Sequence, residues 1–303
     1  TNQDLAVANN GSATVSILLG NGDGTFAAPV NFSIGDRYDR PEWLSVGDFD
    51  EDGNQDLVTA NFRSDNVSIL LGNGNGTFAA VTNFAAGDHA FSVSVGDFDE
   101  DTHQDLAVTN IGGPDNISIL LGNGDGTFAA GTTIETDKES GEISVGDFDQ
   151  DGHQDLVTTN HLYNNVSILL GNGDGTFAEA TNFAVGDWPR AVSVTDLNGD
   201  GLQDLVVTNL DDNSVSILLG NGNGTFAAAM HLAVGSSPFL VSVADFNGDG
   251  IQDLVTANQN SNNVSILLGN GYNATTSRTF DVTVTPVNDD PTLVQPDNVT
   301  VDE

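Results

Sequence analysis

The nine residues DFDEDGNQD at 48–56 decide the reading of this chain, because they return four times. The copies are DFDEDTHQD (97–105), DFDQDGHQD (147–155), DLNGDGLQD (196–204) and DFNGDGIQD (245–253), and the end of a sixth copy stands before Leu5. Their first residues lie 49, 50, 49 and 49 positions apart. A period this regular is the mark of a repeat architecture. Each unit reads strand, acidic loop, strand, variable loop, strand, GNGxGTF hairpin, strand. In the second unit the strands are LSVGDF (44–49), DLVTAN (56–61), NVSILLG (66–72) and TFAAVTNF (77–84). Alternation and β-branched residues mark the strands, and Asn-Gly or Asp-Gly pairs mark tight turns. VSILLG or ISILLG begins at Val15, Val67, Ile117, Val166, Val215 and Val264, and six TF pairs follow, ending at Phe26, Phe78, Phe128, Phe177, Phe226 and Phe280. No segment has a helical period. Four short antiparallel strands in each unit of about 49 residues predict an all-β propeller with six repeats, one per blade. An open β-solenoid is the alternative, but its rungs are normally shorter and parallel.

The loop chemistry selects an ion. Positions 1, 3, 5 and 9 carry Asp or Asn in every copy, and position 6 is Gly in four of them, so that the backbone can turn and position 7 can offer its carbonyl. Oxygen donors in this number suit a hard cation, and calcium accepts such a flexible shell more readily than magnesium. The candidate metal ligands are Asp48, Asp50, Asp52, Asn54 and Asp56; Asp97, Asp99, Asp101, His103 and Asp105; Asp147, Asp149, Asp151, His153 and Asp155; Asp196, Asn198, Asp200, Leu202 and Asp204; and Asp245, Asn247, Asp249, Ile251 and Asp253. Position 7 (Asn54, His103, His153, Leu202, Ile251) enters through its backbone carbonyl, and the two His rings are expected to face solvent. This is not an EF-hand, which has twelve residues, a terminal Glu and flanking helices. Asn198 and Asn247 each remove a charge, and Thr102 replaces the glycine of its loop, so these copies are the weaker candidates.

Composition narrows the function. The formal charge is −38, from 44 acidic and 6 basic residues. Five calcium ions would leave about −28, so a nucleic-acid partner is excluded. There is no Cys, hence no disulfide or zinc-thiolate site, and a metal can do the stapling instead. No apolar run is long enough to insert in a membrane, and no signal peptide is visible. The chain opens within a repeat, so it reads as a mature product or a fragment of something longer.

Successive turns of an up-and-down blade alternate between two faces. The acidic loops and the GNGxGTF hairpins therefore share one face, and the 2→3 loops and 4→1 crossovers share the other. The second face is where the repeats differ. Its crossovers include GDRYDRPEWL (35–44), GDWPRA (186–191) and GSSPFL (235–240), and its loops include NFRSDN (61–66) and NHLYNN (160–165). The partner-binding candidates gather there: Tyr38, Arg40, Trp43, Arg63, Tyr163, Trp188 and Arg190. Recognition chemistry sits on scaffolded loops, and aromatic residues with Arg make interface anchors.

The DxDxDGxxDLV…NxVSILLGNGDGTF pattern resembles the FG-GAP/VCBS repeats, which are related to the integrin α-subunit propeller. The resemblance covers about residues 1–285. It implies that the acidic loop joins the first two strands of a blade and binds calcium, through Asp48, Asp50, Asp52, Asp56 and the Asn54 carbonyl in the second repeat. Integrin propellers have seven blades against six repeats here, so the alternative is a seven-bladed ring completed from outside this sequence. The first repeat lacks its first strand. In the last, TFDVTVTPV (279–287) serves as fourth strand, giving a propeller over 1–287 and a linker or closing strand over 288–303. PVNDDPTL resembles a junction into cadherin-like modules. The tail is expected to close blade one, to join a neighbouring copy as a donated strand, or to act as a linker.

No GxSxG, HExxH or P-loop pattern is present, and no enzyme is expected. The expectation is a calcium-stabilised extracellular or cell-surface adhesion module that binds a protein or glycan ligand on its variable face. A structural filament, with homo-oligomers joined through the C-terminal strand, and a carbohydrate-binding lectin are the alternatives.

Overall fold

The computed structural model describes residues 2–36, 39–113, 115–136 and 140–269, with the backbone of 280–282. Six antiparallel sheets, one per repeat, form the blades of a β-propeller. Blade one holds β1 (Leu5–Asn9), β2 (Thr14–Leu18) and β3 (Val30–Ser33). Blade two holds β4 (Pro41–Gly47), β5 (Asp56–Asn61), β6 (Asn66–Leu70) and β7 (Thr82–Ala85). Blade three holds β8 (Ala90–Gly96), β9 (Asp105–Asn110), β10 (Asn116–Gly122) and β11 (Phe128–Glu135). Blade four holds β12 (Ser140–Gly146), β13 (Asp155–Asn160), β14 (Asn165–Leu169) and β15 (Thr181–Ala184). Blade five holds β16 (Pro189–Thr195), β17 (Asp204–Asn209), β18 (Ser214–Leu218) and β19 (Met230–Ala233). Blade six holds β20 (Pro238–Ala244), β21 (Asp253–Asn258), β22 (Asn263–Leu267) and β23 (Phe280–Val282).

Strands pair in chain order within each sheet, and blade one has three strands, without a first strand among the described residues. The first strands β4, β8, β12, β16 and β20 stand side by side around the axis. Trp43 therefore belongs to an innermost strand, not to the preceding crossover, which ends at Arg40. The expected fourth strand of blade six is present at Phe280–Val282. The PVNDDPTL junction and the tail at 297–303 lie outside the described residues.

The core lies between blades. Each of five apolar clusters joins two consecutive blades. A second strand is flanked by neighbours on both faces, so β5, β9, β13 and β17 are buried along their whole length. Phe at loop position 2 meets the hairpin Phe of the next blade edge to face: Phe49–Phe128, Phe98–Phe177 and Phe148–Phe226, with centroids 5.6, 5.7 and 5.6 Å apart. Such pairs add to plain area burial. The end blades differ. Phe246 is 49% exposed, where Phe49, Phe98 and Phe148 are 2–3% exposed. Leu5 is 45% exposed, where Leu57 is 4%.

Each first strand also carries a register shift after its first residue, at Pro41/Trp43, Ala90/Ser92, Ser140/Ile143, Pro189/Val192 and Pro238/Leu240. Glu42, Phe91, Gly141 with Glu142, Arg190 with Ala191, and Phe239 are skipped by the ladder. Bulges of this kind release a side chain from the pleat and re-aim it.

Candidate functional site

In the acidic loops, Asp at position 9 opens the second strand and is fully buried in all five copies. Its two oxygens accept two backbone N–H groups. Asp56 Oδ2 takes the N–H of Phe49 (2.7 Å), and Oδ1 takes that of Gly72 in the hairpin (2.6 Å). Asp105, Asp155, Asp204 and Asp253 repeat both bonds. Asp4 makes the hairpin half in blade one, to Gly20 (2.7 Å). The acidic loop and the hairpin thus lie on one face, stapled by this carboxylate. Burial pushes Asp105 and Asp155 up to about 6, against the lowering effect of their N–H partners, and raises Asp56 and Asp204 as well.

The remaining positions form two classes. In blades two, three and four, carboxylate oxygens converge within 4.8 Å of one another: Asp48, Asp50 and Asp56; Asp97, Asp99 and Asp101; Asp147, Asp149 and Asp155. Oδ1 of Asp48, Asp97 and Asp147 is buried without any hydrogen-bond donor. A buried carboxylate oxygen left bare costs its full desolvation. A cation at the centre of the loop would supply the missing partner, and an all-oxygen donor set fits a hard divalent ion. Asp99 is held above the usual carboxylate range by burial and by the Asp101 charge. Asp52, Asp105 and Asp151 stand outside these converging sets; Asp52 Oδ1 accepts the N–H of Asn54 (2.8 Å) and Asp151 Oδ1 that of His153 (2.8 Å).

In blades five and six the first Asp is satisfied from within. Asp196 accepts N–H groups from Gly199, Asp200 and Gly201, and Asn198 Nδ2 donates to Asp200. Asp245, Asn247 and Asp249 repeat the pattern, and the Gly250 N–H bond is the largest of the contacts holding Asp245 low. Position 4 separates the two classes. Glu51, Glu100 and Gln150 take left-handed φ of 57–60°, where Gly199 and Gly248 stand in the last two loops. Thr102 keeps the turn of its loop at φ 79°, against 84° for Gly53. That is a strained conformation for a β-branched residue.

Links between blades were not legible in the loop pattern. Gln at position 8 reaches back to cap the first residue of the preceding loop: Asp48 N–H donates to Gln104 Oε1 (2.7 Å), Asp97 to Gln154 (2.8 Å) and Asp147 to Gln203 (2.7 Å). Gly47, Gly96 and Gly146 leave the room for these amides, and Thr195 and Ala244 take that place in blades five and six. The position 7 His rings stay partly open to solvent, at 31% and 35% side-chain exposure, and each also reaches a neighbouring glutamate. His103 Nδ1 meets Glu51 of the preceding blade at 2.5 Å, and His153 pairs with Glu100 in the same way. Those glutamate bonds raise both imidazoles.

On the opposite face, the carbonyl of the residue before β4, β8, β16 and β20 receives the N–H that begins the 2→3 loop: Arg40–Phe62, His89–Ile111, Trp188–Leu210 and Ser237–Gln259. All four carbonyl residues adopt positive φ. Trp43 packs on the core between blades two and three. Trp188 is half-buried and stacks on His161, with centroids 5.9 Å apart and planes 12° apart. Tyr163 and Arg63 are exposed. Arg40 bonds Glu42 (3.1 Å) and Asn10 (3.2 Å) and lies over Phe62. Tyr38 lies outside the described residues. Arg190 sits nearer the axis, with its Cζ 4.7 Å from the Phe91 centroid and 4.4 Å from that of Phe239.

Among the described residues there is no helix long and apolar enough to cross a membrane. Several solved structures are similar over most of the chain. One is a functionally unknown protein from Desulfotomaculum acetoxidans DSM 771, with 14% identity, a TM-score of 0.69, and coverage of 92% of this chain and 79% of that one. Another is an Agrocybe aegerita lectin solved for its recognition of non-reducing terminal N-acetylglucosamine, with 21% identity, a TM-score of 0.61, and coverage of 93% and 81%. A third, from Bacteroides uniformis ATCC 8492, is named as a candidate 6-phosphogluconolactonase, with 18% identity, a TM-score of 0.68, and coverage of 92% and 80%. At these identities the likeness is one of fold. No curated protein matches the chain significantly. The FG-GAP-like repeat model matches residues 2–59, 48–108, 97–158, 147–207 and 196–256, and the FG-GAP repeat model matches 238–276. Successive matches overlap across the acidic loop, the element that stapling by Asp56 and its counterparts ties into every described blade, and the chain belongs to the FG-GAP repeat family.

Proposed function

We propose that this chain is a calcium-stabilised extracellular binding module, without catalytic activity, whose recognition surface is the variable loop face. The observation that carries the metal is the bare, buried Oδ1 of Asp48, Asp97 and Asp147, each beside further converging carboxylates. Extracellular calcium modules bind with dissociation constants of about 0.1–1 mM. At ten times that concentration each site adds about 1.4 kcal/mol to stability. The three converging loops together add about 4 kcal/mol, a large fraction of an ordinary domain's stability. Calcium therefore acts on the fold, and the second face is left for ligands. A thermal melt with and without a chelator tests this: calcium is expected to raise the Tm by several degrees. An unchanged Tm sinks the metal reading.

A glycan ligand is the second reading. Exposed Tyr163 and half-buried Trp188 offer stacking faces for sugar rings, and one fold neighbour is a lectin. A glycan array with Tyr163→Ala and Trp188→Ala variants separates it from a protein ligand. A filament joined through the C-terminal strand predicts instead polymers that vanish when 297–303 are deleted.

A further inference from the structure

We propose that the axial mouth of the variable face is a carboxylate receptor, in which Arg190, flanked by Phe91 and Phe239, takes the carboxylate of a small organic acid or of a docking protein's acidic side chain. The proposal rests on the loop-face reading above and names the chemistry recognised there. Arg190 is one of the residues that the first-strand bulges release from the ladder. Its neighbours come from other blades: Phe91 from blade three, Phe239 from blade six. The guanidinium makes no hydrogen bond among the described residues, and its Nη1 is closed off from solvent without a partner. A guanidinium carries five N–H donors and no acceptor, so leaving it bare in an apolar cage is costly.

Among the described residues no carboxylate forms a direct ion pair with it. Glu142, 9% exposed on β12, interacts with Arg190 electrostatically, but its Oε2 accepts the Val192 N–H (3.0 Å). Burial pushes this carboxyl up to about 8, so it is mostly protonated at neutral pH. Glu42 also acts on Arg190 electrostatically, but its Oε1 is taken by Asn10 (2.6 Å) and Arg40 (3.1 Å). His161 is 8% exposed, and burial followed by the Arg190 charge lowers its imidazole to about 4, so it stays neutral. Its Nε2 has no partner and lies where a side chain on Gly141 would be, 2.4 Å from that position. Blade four thus gives up its own mouth side chain to admit the ring. A chain of net charge −38 keeps here one unpaired cation and one unpaired imidazole nitrogen, walled by phenyl rings. With the guanidinium faces occupied and Nη1 closed off, the edge left to an incoming group is that of Nε and Nη2, where a planar carboxylate pairs through two parallel bonds. A polyanion is disfavoured, because no second free cation stands beside it among the described residues and the net charge of the chain is strongly negative.

The test is calorimetric titration of the calcium-loaded protein with acetyl-Gly-Asp-Gly-amide, its Asn counterpart and sodium acetate. The Asp peptide is expected to bind at least about tenfold more tightly than the Asn peptide, as a charged hydrogen-bond pair implies. Arg190→Gln is expected to abolish the difference, and Arg190→Lys to weaken it. Acetate competing with the peptide assigns a free acid as the source; Asp peptide binding without acetate competition assigns a protein side chain. Equal affinity for the Asp and Asn peptides, absence of binding by every carboxylate, or full binding in a folded Arg190→Gln variant overturns the proposal. The Asp–Asn comparison needs no variant, so it stands even if Arg190→Gln fails to fold. Peptide binding that survives Arg190→Gln but is lost in Trp188→Ala overturns the receptor while leaving the loop-face reading intact.

Discussion

Glu142 has nothing in its local sequence to distinguish it from the other acidic residues, yet its environment on β12 holds its carboxyl at about 8, because burial opposes ionisation more than the Val192 N–H and Arg190 favour it. The folded state grips this proton more tightly than the unfolded chain, whose value is 4.5. The contribution to stability is therefore whole below about pH 4.5 and is lost as pH rises through about 8. The loss is on the order of a few kcal/mol. His161 has the opposite sign: lowered from 6.5 to about 4, its contribution is whole above about 6.5 and lost as pH falls through about 4. Glu142→Gln keeps the acceptor for Val192 without a charge to bury. Urea denaturation is expected to find it more stable than the parent protein at pH 8 and equally stable at pH 4. Equal stability at pH 8 would mean that the carboxyl ionises there without penalty.

At the scale of elements, the acidic loop and the hairpin are one unit. The sequence marks Asp155 as a ligand candidate, and the structure also makes it the staple between Phe148 and Gly171, with bonds of 2.7 and 2.8 Å. Those partners lie 7 and 16 residues away and meet it only when β13 and β14 pair, so the role could not be read from the loop itself. Asp155→Asn sets an amide N–H₂ against one of the two backbone donors. It is expected to cost about 2 kcal/mol or more, because a buried group is left unsatisfied. Chelator-treated protein should retain that loss in a urea titration. A loss seen only with calcium present would assign Asp155 to the ion alone. The repeated Asn at the end of each second strand works likewise: Asn61 Nδ2 donates to Ser68 (2.7 Å) and to Asn66 (2.8 Å), and Ser68 donates to Asn83 (2.8 Å). The NVSIL repeat is thus partly a polar ladder inside a buried sheet, a pattern that strand alternation alone does not reveal.

For the whole molecule, stability resides between blades, so the same residue type is worth different amounts at different blades. Phe148 is 3% exposed against Phe226, and Phe246 is 49% exposed. Phe148→Ala is expected to cost about 3–5 kcal/mol, as for a core aromatic. Phe246→Ala is expected to cost less than about 1 kcal/mol, as for an exposed site. Thermal melts of the two variants check the contrast, and equal losses would mean that Phe246 is covered in solution. The same placement separates the two faces. The acidic loops lie with the hairpins, and Arg190, Trp188 and His161 gather at the other end of the strands, away from the acidic loops.

The period of 49 residues, the turn pairs and the oxygen-rich nonapeptide determined the class of fold, the blade count and the place of the acidic loops from sequence alone, because all three are local or periodic. Which loops converge on a bare oxygen and which satisfy themselves follows the residue at position 4, Glu or Gln against Gly, and the exchange to Asn198 and Asn247. Which charges are buried, which histidines reach a neighbouring glutamate, and how one arginine comes to stand between phenyl rings of two other blades were decided only in the tertiary structure. The physical reason is that these contacts join residues about one repeat or more apart, and periodicity specifies a blade without specifying what faces it across the axis.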